Sequence, residues 1–264
     1  MVKVSVVIPA HNEVRYIGAC LAAVLREVRR SRLDVEVIVV DNASVDGTSA
    51  AAAGFPGVRV VAEARKGLSM ARHSGYLESS GDLIVNLDAD TRMPRGYLRE
   101  VIRGFEKDPR MVCYTGPFAY YDMPVLPRII SMIFYLFQFW PNVVGQRILR
   151  IGAVAQGGNF VVRRSALDRV GGYDTSIEFY GEDTDIATRL SKVGIVRFSF
   201  RLPMRTSGRR LRTEGTLKSG YLAVMNIIFV LFYGRPLTRG HRSASNPVHG
   251  RAGVLRTASG RQAG

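Results

Sequence analysis

At 264 residues the chain is long enough to bury one substantial core and demands no second one. Its 47% hydrophobic and 22% charged residues exclude the disordered and collagen-like classes. The net charge of +15 lies on the C-terminal side: eight cations between Arg189 and Arg212 and six arginines from Arg235 to Arg261, neither run broken by an acid, leave the first 188 residues nearly neutral. Basicity placed this way suits phosphate groups or an anionic membrane surface.

In chain order, residues 4–8 and 35–40 are short β-branched runs between polar turns, the pattern of strands covered on both faces of a parallel sheet. Residues 13–30 between them have helical spacing. The alternation continues with a helix at 48–53, a strand at 58–61, a helix at 68–79, a strand at 83–87, a helix at 94–107 and a strand at 111–114. Such repeats imply a doubly wound α/β sheet with right-handed crossovers. The rhythm then breaks at an aromatic-rich apolar run, 126–140, followed by a strand at 159–162, a helix at 183–192, a strand at 196–200 and a second apolar helix at 217–233. From Arg235 the Gly, Ser and Arg content is that of a disordered tail.

Ligands of an open parallel sheet bind beyond the carboxyl ends of its strands. The first strand is followed by Pro9-Ala10-His11-Asn12-Glu13, the second by Asp41-Asn42, and the one at 83–87 by Asp88-Ala89-Asp90. Three acid-bearing strand ends therefore converge on one rim. Hard cations such as Mg²⁺ or Mn²⁺ take oxygen ligands, often one or two carboxylates plus substrate phosphate. If the strand continues, Asp88 and Asp90 point alternately, one toward a ribose and the other toward such an ion. The bland alternative for Asp90-Thr91 is a helix-initiating turn.

The blocks SVVIPAHNE, VVDNASVDGT, KGLSMARHSGY, IVNLDAD and YGEDTD, in that order over residues 4 to about 210, resemble the family 2 glycosyltransferases with the GT-A fold. The resemblance implies a Rossmann-like, mostly parallel sheet flanked by helices, and an enzyme that moves a sugar from a nucleotide-diphosphate donor to an acceptor hydroxyl with inversion. It assigns donor contacts to Pro9, Ala10, Glu13, Asp88 and Ala89, base recognition to Asp41, and the metal, Mg²⁺ or Mn²⁺, to Asp90. Lys66 and Arg72 would bring cations to the diphosphate. Gly158 and Asn159 would line the acceptor side. Asp183 would be the general base, with Glu182 beside it, although acids at a helix start also favour the helix dipole. Thr206-Ser207-Gly208 with Arg209 and Arg210 resembles a loop that closes over the donor, its guanidiniums stabilising the departing diphosphate. Asn42 stands where the family more often carries a second acid, and His73 where it carries Asn, the latter reading as a structural helical histidine.

These readings divide the chain into a catalytic domain at 1–212, an apolar and membrane-associated helix at 213–234 and a basic tail at 235–264. Cys20 and Cys113 have no metal-ligand spacing, the N-terminus reads as a strand rather than a secretory signal, and no stretch matches a bilayer span, so the expected location is cytoplasmic, at the inner face of the plasma membrane. Expected partners are a nucleotide sugar, a sugar or lipid-linked acceptor of the cell envelope, and a membrane surface met peripherally by the apolar helices. Transfer to polyprenyl phosphate is the neighbouring enzymatic alternative. A non-catalytic nucleotide-sugar or nucleic-acid binder is the alternative of another class, although no specific nucleic-acid motif is present.

Overall fold

A computed structural model describes residues 2–144, 155–177, 181–214 and 225. Most of the apolar segment at 217–233 and the whole tail from 235 lie outside the described residues.

The N-terminal half alternates strand and helix: β1 (Lys3–Ala10), α1 (Val14–Ser31), β2 (Asp34–Asp41), α2 (Thr48–Ala53), β3 (Val58–Ala62), α3 (Leu68–Glu78) and β4 (Leu83–Leu87). A two-residue strand, β5 (Thr91–Arg92), precedes α4 (Tyr97–Lys107), β6 (Met111–Thr115) and β7 (Phe118–Tyr120). There follow α5 (Val125–Val144), β8 (Asn159–Arg163), α6 (Arg164–Arg169), α7 (Glu182–Ser191), β9 (Ile195–Phe198), β10 (Met204–Thr206) and α8 (Arg209–Glu214). The helix expected from residue 94 begins three residues later, after Gly96 turns into the left-handed region at φ 84°.

The seven-stranded sheet runs β3-β2-β1-β4-β8-β6-β9. Its strands are parallel except β8, which runs antiparallel to both β4 and β6. This reversal positions the site, because Leu87 at the end of β4 pairs with Asn159 at the start of β8. The segment leading into β8 therefore meets the same rim as the carboxyl ends of the parallel strands.

Side chains on β1 alternate between two cores. Val4, Val6 and Ile8 pack with Ile17, Leu21 and Val24 of α1 and with Leu98 and Val101 of α4. Val7 packs on the opposite face with Ile38, Val40 and Ala71 of α3. Helix α1 serves this arrangement with apolar residues three to four apart and ends at Arg32, which takes the left-handed conformation at φ 57°. Cys20 and Cys113 are free and buried, and burial pushes each thiol up to about 12.

The second sheet, β5-β10-β7, was not legible in the sequence. Thr206 of β10 pairs with Thr91 of β5, and Met204 through Thr206 run parallel to Phe118 through Tyr120 of β7. This small sheet lays residues 206–209 across the end of the Asp88-Ala89-Asp90 block. Helix α5 turns Tyr135 inward, stacked on Phe198 at 6.2 Å, and leaves Leu126, Ile129, Ile130, Ile133 and Leu136 exposed.

Candidate active site

Two loops organise the β1 and β2 side of the rim. Asn12, at φ 55°, accepts from the Val45 N–H through its side-chain oxygen and donates its backbone N–H to Ser44 Oγ. The Glu13 N–H is held by Thr48 Oγ1 at 2.8 Å, so the acid's backbone is fixed between the two strand ends. Asp41 is half-buried at the rim and accepts the Ser44 N–H at 3.2 Å. Its neighbour Asn42 is buried and makes three bonds, donating to the Glu63 and Arg65 carbonyls and accepting the Gly67 N–H. Asn42 thus fixes the turn that presents Lys66, which is exposed.

The β4 and β8 side is organised by Arg72 of α3, whose side chain has 0% exposure. Its guanidinium donates to Glu182 Oε1 at 2.5 Å and to Asp88 Oδ1 at 3.1 Å and lies 5.1 Å from the centroid of the Phe160 ring. A buried cation of this kind persists only when paired. It draws the start of α7 and the end of β4 together, reaching Glu182 across 110 positions of sequence from Arg72 itself. Glu182 is 7% exposed, and burial with the adjacent charge of Asp183 raises its proton affinity against the pull of Arg72. Asp183 accepts the Gly157 N–H at 2.9 Å and the Thr184 N–H at 2.8 Å. Burial nonetheless holds its pKa above the ordinary carboxylate value.

Gly158 follows directly, at φ 77°, with its α-carbon against the Asp88 carboxylate. A Cβ built there would sit 2.2 Å from Asp88 Oδ2. Only glycine combines that backbone conformation with that approach. Asp88, Gly157, Gly158, Glu182, Asp183 and Arg72 therefore form one contiguous contact set.

Asp90 lies deeper, with its side chain 12% exposed, and burial pushes its pKa up to about 7 against the opposing charge of Arg209. Its Oδ1 accepts from Thr206 Oγ1 at 3.3 Å, and its Oδ2 is 3.2 Å from Arg209 Nε. The same guanidinium donates both Nη groups to Glu13, Nη1 to Oε2 at 2.7 Å and Nη2 to Oε1, and lies 4.5 Å from the centroid of the Tyr16 ring. Arg209 consequently ties the β1 and β4 strand ends together.

Three of the residues expected at the site have partners within the protein that the sequence did not indicate. Arg72, expected at the diphosphate, has no exposed side-chain surface and reaches the rim only through Asp88 and Glu182. Asn159, expected to line the acceptor side, is fully buried: its amide donates to the Gly116, Pro117 and Leu202 carbonyls and its oxygen accepts from Tyr97. It knits β8 to the β6–β7 turn and to the segment before β10. Arg209, expected on the diphosphate, grips Glu13 and Asp90. Pro9, Ala10 and Ala89 are buried strand-end residues at the rim, and Arg210 is half-buried beside Arg209. Asp122 and Tyr16 contribute to the arrangement without having been foreseen. His73 packs edge-on to Tyr76 at 5.8 Å.

Among the described residues no group of three or more His, Cys, Asp or Glu is arranged to hold a metal ion. The donor set at the rim still suits a hard divalent ion, because such ions need only one or two protein carboxylates where substrate phosphates complete the shell. The carboxylate available for that role is Asp90, one of whose oxygens lies 3.2 Å from Arg209 Nε. No helix among the described residues is long and apolar enough to cross a membrane.

The family profile described as "Glycosyl transferase family 2" matches residues 5–171. "Probable glycosyltransferase YdaM" of Bacillus subtilis is 31% identical over 208 residues, covering 74% of this chain and 48% of that protein, so the chain spans about half that relative's length. "Uncharacterized glycosyltransferase Rv0539" of Mycobacterium tuberculosis is 28% identical over 228 residues, 84% of this chain and 95% of that one. Among solved structures, the mannosyltransferase PcManGT from Pyrobaculum calidifontis, in complex with GDP-Man and Mn²⁺, aligns with a TM-score of 0.62 at 22% identity over 78% of this chain and 57% of that one. That likeness is one of fold: a mixed α/β, GT-A type sheet flanked by helices.

Proposed function

The chain belongs to glycosyl transferase family 2, and from that premise we propose that it transfers a sugar from a UDP- or GDP-type donor to an acceptor hydroxyl with inversion at the anomeric carbon. The observation that carries this reading is the rim itself: Asp41 ends β2 beside Ala10 of β1, Arg209 joins Glu13 after β1 to Asp90 after β4, and Arg72 joins Asp88 after β4 to Glu182, next to Asp183, at the start of α7.

In this reading Asp41 accepts an N–H of the nucleobase and Asp88 a ribose hydroxyl. Lys66, with Arg210, faces the diphosphate. Asp90 would hold a Mg²⁺ or Mn²⁺ ion, which when bound offsets the charge of the departing diphosphate. Asp183 acts on the other side. As the acceptor oxygen attacks the anomeric carbon, its proton passes to Asp183, the new C–O bond forms, and the bond to the donor phosphate breaks to release a nucleoside diphosphate. The raised proton affinity of Asp183 suits a base, and the Gly157 N–H keeps its carboxylate oriented.

The acceptor is proposed to be lipid-linked and the enzyme to meet its membrane peripherally. The exposed apolar residues of α5, spaced three to four apart and beginning just after Asp122, support this reading. Free polyprenyl phosphate and a lipid-linked glycan, offered side by side, separate the two acceptor classes.

A panel of nucleotide sugars with and without Mn²⁺ tests the donor assignment by thermal shift. One UDP- or GDP-sugar is expected to stabilise the protein in an Mn²⁺-dependent manner, with the dependence lost in Asp90→Ala. Equal stabilisation by every nucleotide sugar, unaffected by Mn²⁺ and by Asp90→Ala, would refute it.

A further inference from the structure

The segment from Thr206 to Arg212 is held closed by a residue outside the acid rim. Asp122, just beyond β7, accepts from Ser207 Oγ at 2.6 Å and from Arg212 Nη2 at 2.9 Å through Oδ2, and from the Gly208 N–H at 2.6 Å through Oδ1. Its backbone carbonyl accepts from Arg212 Nη1 at 2.5 Å. Gly208 lies so close to Met123 that a Cβ there would sit 2.1 Å from its Cγ. With β10 paired to both β5 and β7, this clasp fixes the start of α8 and aims Arg209 at Glu13 and Asp90.

In that position Arg209 supplies what a divalent ion would supply. It brings positive charge to Asp90, whose other oxygen is taken by Thr206, and it spans to Glu13. A dication and a guanidinium 3.2 Å from the same carboxylate oxygen repel each other, so the two cannot share Asp90 in this arrangement.

We propose that Arg209 is a resident counter-ion that occupies the cation subsite of the acid rim in the donor-free enzyme, and that Asp122 is the positioning residue that clasps it there. The proposal rests on the reading that Asp90 helps to hold a divalent ion. Entry of the metal and diphosphate exchanges Arg209 for the dication and frees its guanidinium, and the metal affinity of the empty enzyme is reduced by the fraction of time the clasp is closed. Bare metal is thereby disfavoured until a nucleoside diphosphate arrives to displace the arginine.

The test is Mn²⁺ binding to the full chain without nucleotide, read by the loss of the free-ion electron paramagnetic resonance signal, in wild type, Arg209→Ala, Asp122→Asn and Asp90→Ala. Arg209→Ala is expected to bind Mn²⁺ about tenfold more tightly than wild type, the change for a clasp closed about nine-tenths of the time. Asp122→Asn separates the clasp from simple electrostatics, since removing a negative charge by itself weakens cation binding, whereas releasing the clasp strengthens it. Tighter binding by Asp122→Asn supports the proposal. Unchanged affinity in Arg209→Ala overturns the counter-ion role, and equal or weaker binding in Asp122→Asn overturns the clasp. Wild-type affinity in Asp90→Ala sinks the metal assignment itself, a failure visible in a different variant.

Discussion

Replacing Arg72 by methionine tests whether one buried cation joins the two halves of the rim. Methionine keeps much of the length of the side chain and its contact with Phe160, but removes the charge that Glu182, 7% exposed, faces at 2.5 Å. Removing one partner of a buried ion pair costs about 3–5 kcal/mol. Asp88, 37% exposed, recovers water, which places the loss near the lower end, about 3 kcal/mol. For a chain of this size that is a fall in Tm of roughly 6–12 °C. The cost carries a pH signature. Without Arg72 the folded-state pKa of Glu182 rises further above its unfolded value, and a carboxyl shifted this way destabilises the fold at pH above the unfolded value and not below it. The gap between wild type and variant in urea unfolding should therefore stay level at low pH, open as the pH rises through the already raised wild-type folded pKa of Glu182, and level off beyond the still higher folded pKa of the variant. Adding Glu182→Gln to Arg72→Met should restore much of the loss, because the orphaned charge is gone. A gap below about 1 kcal/mol, or one independent of pH and unrelieved by Glu182→Gln, would refute the reasoning.

Gly158→Ala forces a Cβ to within 2.2 Å of Asp88 Oδ2 and places alanine in a left-handed conformation, which costs about 1–2 kcal/mol of stability in urea unfolding. The displaced carboxylate should lower kcat/KM by roughly 10²-fold, and unchanged steady-state kinetics would show that Asp88 has no part in positioning the donor. For the pH profile, Asp183 must be ionised to accept a proton and its pKa is raised. Log kcat should rise with unit slope through the acid limb and level off above that raised value, with a midpoint above the ~3.9 of an ordinary aspartate. A midpoint at or below that value would remove Asp183 from the role.

Much of the scaffold was legible because it is local. The β-branched runs, the apolar spacing of α1 and the breaks at loops recover every strand of the seven-stranded sheet, and the bounds of β4 and α2 are read to the residue. The placement of Asp41, Asp88 and Asp90 at the ends of β2 and β4 was legible for a topological reason, since residues following parallel strands share one edge. What escaped depends on contacts distant in sequence. Strands of two or three residues carry no periodicity, and β5, β7 and β10 exist because they pair with one another. Arg72 and Arg209 are equally plausible phosphate ligands as letters; burial sends the first to Glu182 and the Asp122 clasp sends the second to Glu13, 196 positions away. Asn159 looked like an acceptor contact because it follows two glycines, but four buried bonds occupy its amide group. Nothing in the local sequence of Asp122 marks it as the residue that holds the loop.

The most direct test of the central claim, that these acids divide one rim between holding a cation-bound donor and activating an alcohol, is a paired measurement on Asp183→Asn. Once the donor is identified, its Mn²⁺-dependent affinity should be within about twofold of wild type while kcat falls by roughly 10²–10⁴-fold. Loss of donor affinity together with turnover, or turnover that survives the substitution, would contradict the assignment.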